Sequence, residues 1–163
     1  MKKIVFISLL CISSVFGFRL GSFELTPEIG AGAQRVNVDG DTRNYWSAYG
    51  RVWVGANNLV ITPQVRYTKM DNAYSDFTNW QYGLSLGYTL DLIAFYATPY
   101  LGANYSHFSE YYDDTLGYNA GVRVQPAIIP LSLGLEYEYQ RPHDRFGNSH
   151  TIDGIRFSVG ISF

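Results

Sequence analysis

The chain has 163 residues, with 12 Lys and Arg against 14 Asp and Glu and a net charge of −2, a mild acidity that disfavours nucleic acid as a partner. Its one cysteine, Cys11, lies in a stretch with the features of a leader, so a disulfide, a thiolate nucleophile and a cysteine-based metal site are excluded from the remainder. No later stretch approaches the ~18 apolar residues of a membrane-spanning helix; the longest unbroken apolar run is Leu92 to Ala97, so a bilayer crossing has to be made by strands in a closed barrel.

Residues 1–17 have the layout of a secretory signal peptide. Lys2 and Lys3 supply the positive start, Ile4 to Cys11 the apolar centre, and Val15-Phe16-Gly17 the cleavage site. A lipoprotein leader processed at Cys11 is disfavoured by the bulky Leu10 before it. The expected mature chain, residues 18–163, is one domain; without Lys2 and Lys3 it carries ten basic and fourteen acidic residues, a net charge of −4.

Along that chain, parity predicts eight strands, at 22–36, 43–55, 59–69, 78–90, 94–107, 115–127, 131–141 and 151–163. Each is near the ~9–11 residues of a tilted membrane strand, with some extension beyond the bilayer. Successive side chains on a strand point to opposite faces. The second strand has the weakest alternation, because Tyr49 and Trp53 fall on the polar parity beside Arg51. In the fourth, Trp80, Tyr82, Leu84, Leu86, Tyr88 and Leu90 oppose Gln81, Gly83, Ser85, Gly87 and Thr89. In the seventh, leucines and tyrosines from Leu131 to Tyr139 oppose Ser132, Gly134, Glu136, Glu138 and Gln140. The eighth alternates most strictly: Ile155, Phe157, Val159, Ile161 and Phe163 against Gly154, Arg156, Ser158, Gly160 and Ser162.

Short connections (Gly55–Asn58, Thr89–Ile93, Ala127–Pro130) alternate with mostly longer, more polar ones (Val38–Arg43, Met70–Phe77, Phe108–Asp114, Pro142–His150). This fits an even-stranded barrel with both termini in the periplasm. Pro27, Pro63 and Pro99 lie inside strands, where the missing N–H predicts local bulges. The fold class is thus all-β, an eight-stranded antiparallel up-and-down transmembrane β-barrel.

The same period would suit a soluble barrel with apolar residues inside. Composition favours the opposite polarity. The mature chain has one lysine, Lys69, where a water-facing barrel carries many Lys and Glu. The apolar parity holds no charge in mid-strand, and aromatics gather toward strand ends: Trp46, Tyr67, Trp80, Tyr82, Tyr105, Tyr118 and Tyr139 in an outer belt, Phe23, Tyr88 and Phe163 in an inner one. The polar parity then places Glu24, Glu28, Glu136 and Glu138 with Arg51, Arg66, Arg123 and Arg156 inside a narrow barrel, where such charges need partners. Eight strands enclose space for side chains only, and inward glycines such as Gly30, Gly121 and Gly160 would offset the bulk of the arginines, Tyr49 and Trp53. A plugged lumen is expected.

The leader, the segment Phe157-Ser158-Val159-Gly160-Ile161-Ser162-Phe163 and the strand Thr98-Pro99-Tyr100-Leu101-Gly102-Ala103-Asn104-Tyr105 resemble the small eight-stranded outer-membrane barrels of the OmpA/OmpX type. The resemblance covers the mature chain as architecture. It implies the outer membrane of a Gram-negative cell as location, and surrounding lipid and lipopolysaccharide as partners. It also implies recognition by the barrel-assembly machinery of a terminal strand ending in an aromatic residue, here Phe157, Val159, Ile161 and Phe163. Family members with a wall-binding domain continue well beyond the barrel, so peptidoglycan anchoring through such a domain is not implied for a chain ending at Phe163. A monomer is expected.

Candidate chemistry is sparse. Nucleophilic catalysis needs a Ser activated by a His that an acid orients. His107, His143, His150, Ser149, Asp144 and Asp153 are the raw materials, but the adjacent pairs Ser149-His150 and His143-Asp144 point apart on an extended chain. Asn37, Asp39 and Asp41 lack the following Gly and later acid of a calcium loop, and Asp39-Gly40 is a turn signal. Glu110, Asp113 and Asp114 offer carboxylates for divalent ions shared with lipopolysaccharide, but a solvated acidic loop is the expected reading. No catalytic residue, metal site or cofactor is expected. The loop aromatics Phe108, Tyr111, Tyr112 and Phe146 either anchor a partner or rest on the barrel rim. The leading expectation is a non-enzymatic barrel with a structural or surface-recognition role; a narrow conduit for ions or small solutes is the alternative, and a lipid-modifying enzyme follows.

Overall fold

In a computed structural model, residues 18–20, 23–71 and 76–163 are described. The leader expected at 1–17 lies outside them. Eight long strands form the wall: β1 (Phe23–Val38), β2 (Asp41–Ala56), β3 (Leu59–Asp71), β4 (Asp76–Tyr88), β5 (Phe95–Phe108), β6 (Thr115–Pro126), β7 (Leu131–Gln140) and β8 (Ile152–Ser162). Two short pieces accompany them: Phe18–Leu20 pairs with the start of β1, and Leu90–Asp91 pairs with β5. All neighbours are antiparallel, and the ring closes where β8 pairs with β1 from Ile152↔Val38 to Ser162↔Glu28. Closure leaves no open edge, which a backbone surrounded by hydrocarbon cannot have.

The period-2 pattern decides the faces. Ile29, Leu84, Leu101, Leu135, Phe157, Val159 and Ile161 stand outside, while Glu28, Arg51, Arg66, Asn104, Arg123, Glu136 and Arg156 are buried inside. A soluble barrel has the reverse polarity; this one suits an apolar solvent. On the outer face Tyr67 and Trp80 are cross-strand partners with ring centroids 5.0 Å apart, part of a girdle with exposed Trp46, Tyr82, Tyr105 and Tyr118. Phe23, Tyr88 and Phe163 mark the other rim.

Three local expectations need correction. The connection expected at 38–43 is a two-residue turn, because β1 and β2 pair out to Val38↔Asp41; Asp39 (φ 51°) and Gly40 (φ 101°) take the left-handed conformations that a tight hairpin demands. The prolines cause no bulges. Register runs without an inserted residue through Pro27↔Val52, Pro63↔Leu84 and Pro99↔Val122. Where a proline would have to donate, the ladder skips instead: β2 and β3 pair at Arg51↔Gln64 and again at Val54↔Ile61, with the Pro63 level unpaired between them. Finally, Phe108 is not a loop residue. It ends β5 and points inward, 4% exposed.

Candidate functional site

The lumen holds the eight charges in two groups. The group nearer the short turns centres on Glu28. Register sets Glu28 directly opposite Arg51 on β2, whose Nη2 lies 2.6 Å and Nε 2.9 Å from Glu28 Oε1. Arg123 of β6 approaches from across the barrel, Nε 2.7 Å from Glu28 Oε2 and Nη1 4.0 Å from Glu24 Oε1. Tyr49 Oη and Trp53 Nε1 donate to the two Glu28 oxygens at 2.9 and 3.0 Å. The guanidinium carbon of Arg51 lies 4.8 Å from the centroids of both Tyr49 and Trp53. The aromatic pair that weakened the pattern of the second strand thus serves the polar interior: each ring has an apolar body and a donor at its edge.

The second group centres on Glu136 and Glu138 of β7. Arg156, directly opposite Glu136 on β8, pairs with Glu136 and with Glu138, the latter at 3.3 Å. Arg66 of β3 reaches across, Nη2 to Glu136 and Nη1 to Glu138, both 2.8 Å. Tyr100 Oη donates to Glu136 at 2.7 Å. Gln81 bonds to Glu138, to Arg66 at 2.8 Å and to Ser106 at 3.0 Å, and Ser106 passes the chain to Gln140 at 2.6 Å. The groups meet where Trp53, 1% exposed, packs edge-on against Tyr100 with centroids 5.6 Å apart. Glycines make room for these rings: a Cβ on Gly160 would stand 2.6 Å from Tyr49 Oη, and one on Gly121 2.8 Å from Tyr100 Oη. All eight expected lumen residues therefore lie inside, joined by Tyr49, Trp53, Tyr100 and Gln81. Tyr100 sits on the inward parity between Thr98 and Gly102, a signal present in the sequence but not used.

Above the second group the lining turns apolar. Val36, Tyr45, Met70, Phe77, Phe108 and Ile152, inward residues near the loop ends of their strands, form one buried cluster with Tyr111 and Tyr112 packed on it. Of the four expected loop aromatics, Phe108 lies within this cap, Tyr111 and Tyr112 lean on Phe77 at centroid distances of 6.0 Å, and Phe146 stands free at 90% exposure. A surface pocket of about 430 Å³ opens beside them, lined by Glu110, Tyr111, Tyr112, Asp144, Phe146 and His150 among others.

His150 ties three connections together. Its Nδ1 lies 2.5 Å from Asp39 in the β1–β2 turn, its Nε2 3.2 Å from Asp144, and its ring meets Tyr112 edge-on at 5.4 Å. The hydrogen bond to Asp39 raises the imidazole pKa above its ordinary 6.5, with Asp144 adding to it. Asp39 is lowered from 3.8, first by the Thr151 backbone N–H and then by His150; Asp144 is lowered too, chiefly by Asn148. The tie is therefore complete at pH 6.5 and below, down to the ordinary carboxylate value of 3.8, and is lost as pH rises through the raised value of His150. Hydrogen exchange over residues 142–150 should quicken, beyond the intrinsic base-catalysed rate, as pH climbs past that value; His150→Gln should remove the step.

The loop serine has other work. Ser149 Oγ accepts from Arg141 Nε at 3.0 Å, and both nitrogens of His150 face carboxylates. Asn37 likewise serves its own hairpin, accepting from Gly40 N at 2.9 Å. The expected assembly residues Phe157, Val159 and Ile161 face outward on β8, and the Phe163 N–H bonds to Pro27 O at 2.9 Å.

A closed eight-stranded ring with apolar residues outside and paired charges inside defines the class: the fold is that of the small eight-stranded outer-membrane barrels. Among solved structures the chain is similar to Neisserial surface protein A, with a TM-score of 0.61 and 17% identity over 85% of this chain and 97% of that one. It is similar too to Ail, the attachment invasion locus protein of Yersinia pestis, crystallised with the heparin analogue sucrose octasulfate (TM-score 0.54, 19% identity, 87% of this chain and 99% of that one). At these identities the likeness is one of fold. No protein-family model matches the chain, and no curated protein does.

Proposed function

We propose that this protein is a non-enzymatic outer-membrane barrel whose lumen is filled by its own side chains and whose loop end is a recognition or structural surface. One observation carries the reading: two charge-balanced, hydrogen-bonded layers and an apolar cap follow one another along the lumen. Between the cap and the Glu136–Glu138 layer the cavity measures about 20 Å³, room for about one water and too little for a conducting column. Lipid and lipopolysaccharide surround the belt in this reading, the assembly machinery engages β8, and the barrel acts as a monomer.

Planar bilayers containing the purified protein should show no steady conductance, and neither Glu136→Ala nor Arg123→Ala alone should open one, because each leaves the other charge layer and the apolar cap in place. Steady current through the unaltered protein would overturn the plugged lumen. The conduit reading draws on one feature, a mouth of about 310 Å³ at the short-turn end lined by Glu24, Thr26, Gln125 and Ser162 among others, and the same recording tests it. Recognition is supported by the loop-end pocket, where Phe146 and the two tyrosines stand beside Glu110; an exposed aromatic is a common anchor at protein surfaces.

A further inference from the structure

The short-turn end of the barrel is lopsided. The β2–β3 turn ends in Asn57 and Asn58, both exposed, in left-handed conformations (φ 52° and 71°) that asparagine accepts easily. The next two turns are apolar. Ile93 is 98% exposed and Ile128 94%, with half-exposed Leu92 and Ile129 beside them. Ala127 N donates to Ala94 O at 3.0 Å, so the two turns abut and their side chains form one patch. Ile93 also holds φ at 63°, where a β-branched side chain is strained. Neither packing within the protein nor backbone preference accounts for isoleucine at that tip.

The patch continues the outer face: Leu86, Tyr88, Leu90 and Phe95 carry the exposed apolar band of β4 and β5 into it without a break. The one charge in these turns is Asp91, whose carboxylate accepts from Ile93 N at 3.3 Å. We propose that the turns 89–94 and 127–130 are seated in the interfacial layer of the bilayer, Ile93 and Ile128 entering the headgroup–acyl boundary and Asp91 staying at headgroup level, so that the apolar band reaches further on the β4–β7 side than at the Asn57–Asn58 turn. An apolar side chain left at that tip gains only by leaving water, and membrane-surface segments enter the boundary to a depth of roughly 5–10 Å.

This rests on the bilayer reading above, and the test separates the two. With the leader's Cys11 absent, the single variants Ile93→Cys, Ile128→Cys, Asn57→Cys and Leu101→Cys can be labelled with bimane. They are then folded into phosphatidylcholine vesicles and exposed in turn to a lipid with a nitroxide near its headgroup and to iodide on both sides. Heat-modifiable gel mobility confirms that each variant folds, which their exposed side chains favour. The expected result is severalfold stronger lipid quenching, and weaker iodide quenching, at 93 and 128 than at 57. Iodide quenching at 93 and 128 equal to that at 57 overturns the proposal. So does shielding from both quenchers, which would mean a protein contact. Quenching at 101 by a lipid whose nitroxide lies deep in the acyl chain, without lipid quenching at 93 or 128, removes this inference alone; no quenching at 101 by that deeper label removes the bilayer reading as well.

Discussion

Glu28→Ala is expected to destabilise the folded barrel by about 3–5 kcal/mol, the scale for removing one member of a buried ion pair. Glu28 receives Arg51, Arg123, Tyr49 and Trp53 on two oxygens. Its loss leaves Arg51 without the carboxylate it pairs with and Arg123 with Glu24 at 4.0 Å, both guanidiniums in a narrow interior. Equilibrium unfolding by guanidinium in detergent or vesicles, followed by the fluorescence of Trp53 and its neighbours, measures the effect. Glu28→Gln with Arg51→Met, which removes charge from both sides, should cost less than Glu28→Ala alone. A loss under about 1 kcal/mol for the single change would mean that the two arginines reach water.

Val159→Arg is expected to block insertion or cost roughly 2–4 kcal/mol, as for a guanidinium at the bilayer midplane. Val159 stands on the outer face of β8 opposite Leu133 and Ala31, among exposed apolar side chains. Its neighbour Ser158 points inward toward Gly134, and Ser158→Thr keeps the hydroxyl and should be mild. The yield of heat-modifiable folded protein in vesicles compares them directly. Equal tolerance at 158 and 159 would contradict the assigned faces.

The strands and their faces were legible because a period of two is read locally, one residue at a time. Ile155 to Phe163 could be sorted into faces without any knowledge of the rest of the chain. The eight lumenal charges followed from the same parity. Their division into two layers did not, since which arginine reaches which glutamate depends on the stagger between strands: Arg66 meets Glu136 across the barrel, four strands away along the ring. The apolar cap was missed for a different reason. Val36, Met70 and Phe108 obey the inward parity, but they sit at the loop ends of their strands, where the lumen lining turns apolar, and a rule that equates inward with polar passes over them. Pro27, Pro63 and Pro99 misled because a missing donor can be absorbed by skipping a rung, with no residue inserted.

The seam between β8 and β1 has a temporal meaning. β1 finds one of its two partners only once β8 has been made, so the ring cannot close strand by strand as synthesis proceeds. Until the last rung from Ser162 to Glu28 is laid, two sets of backbone donors and acceptors stay unmet. Hairpins between sequence neighbours can pair earlier, but the ring itself can shut only as a late event.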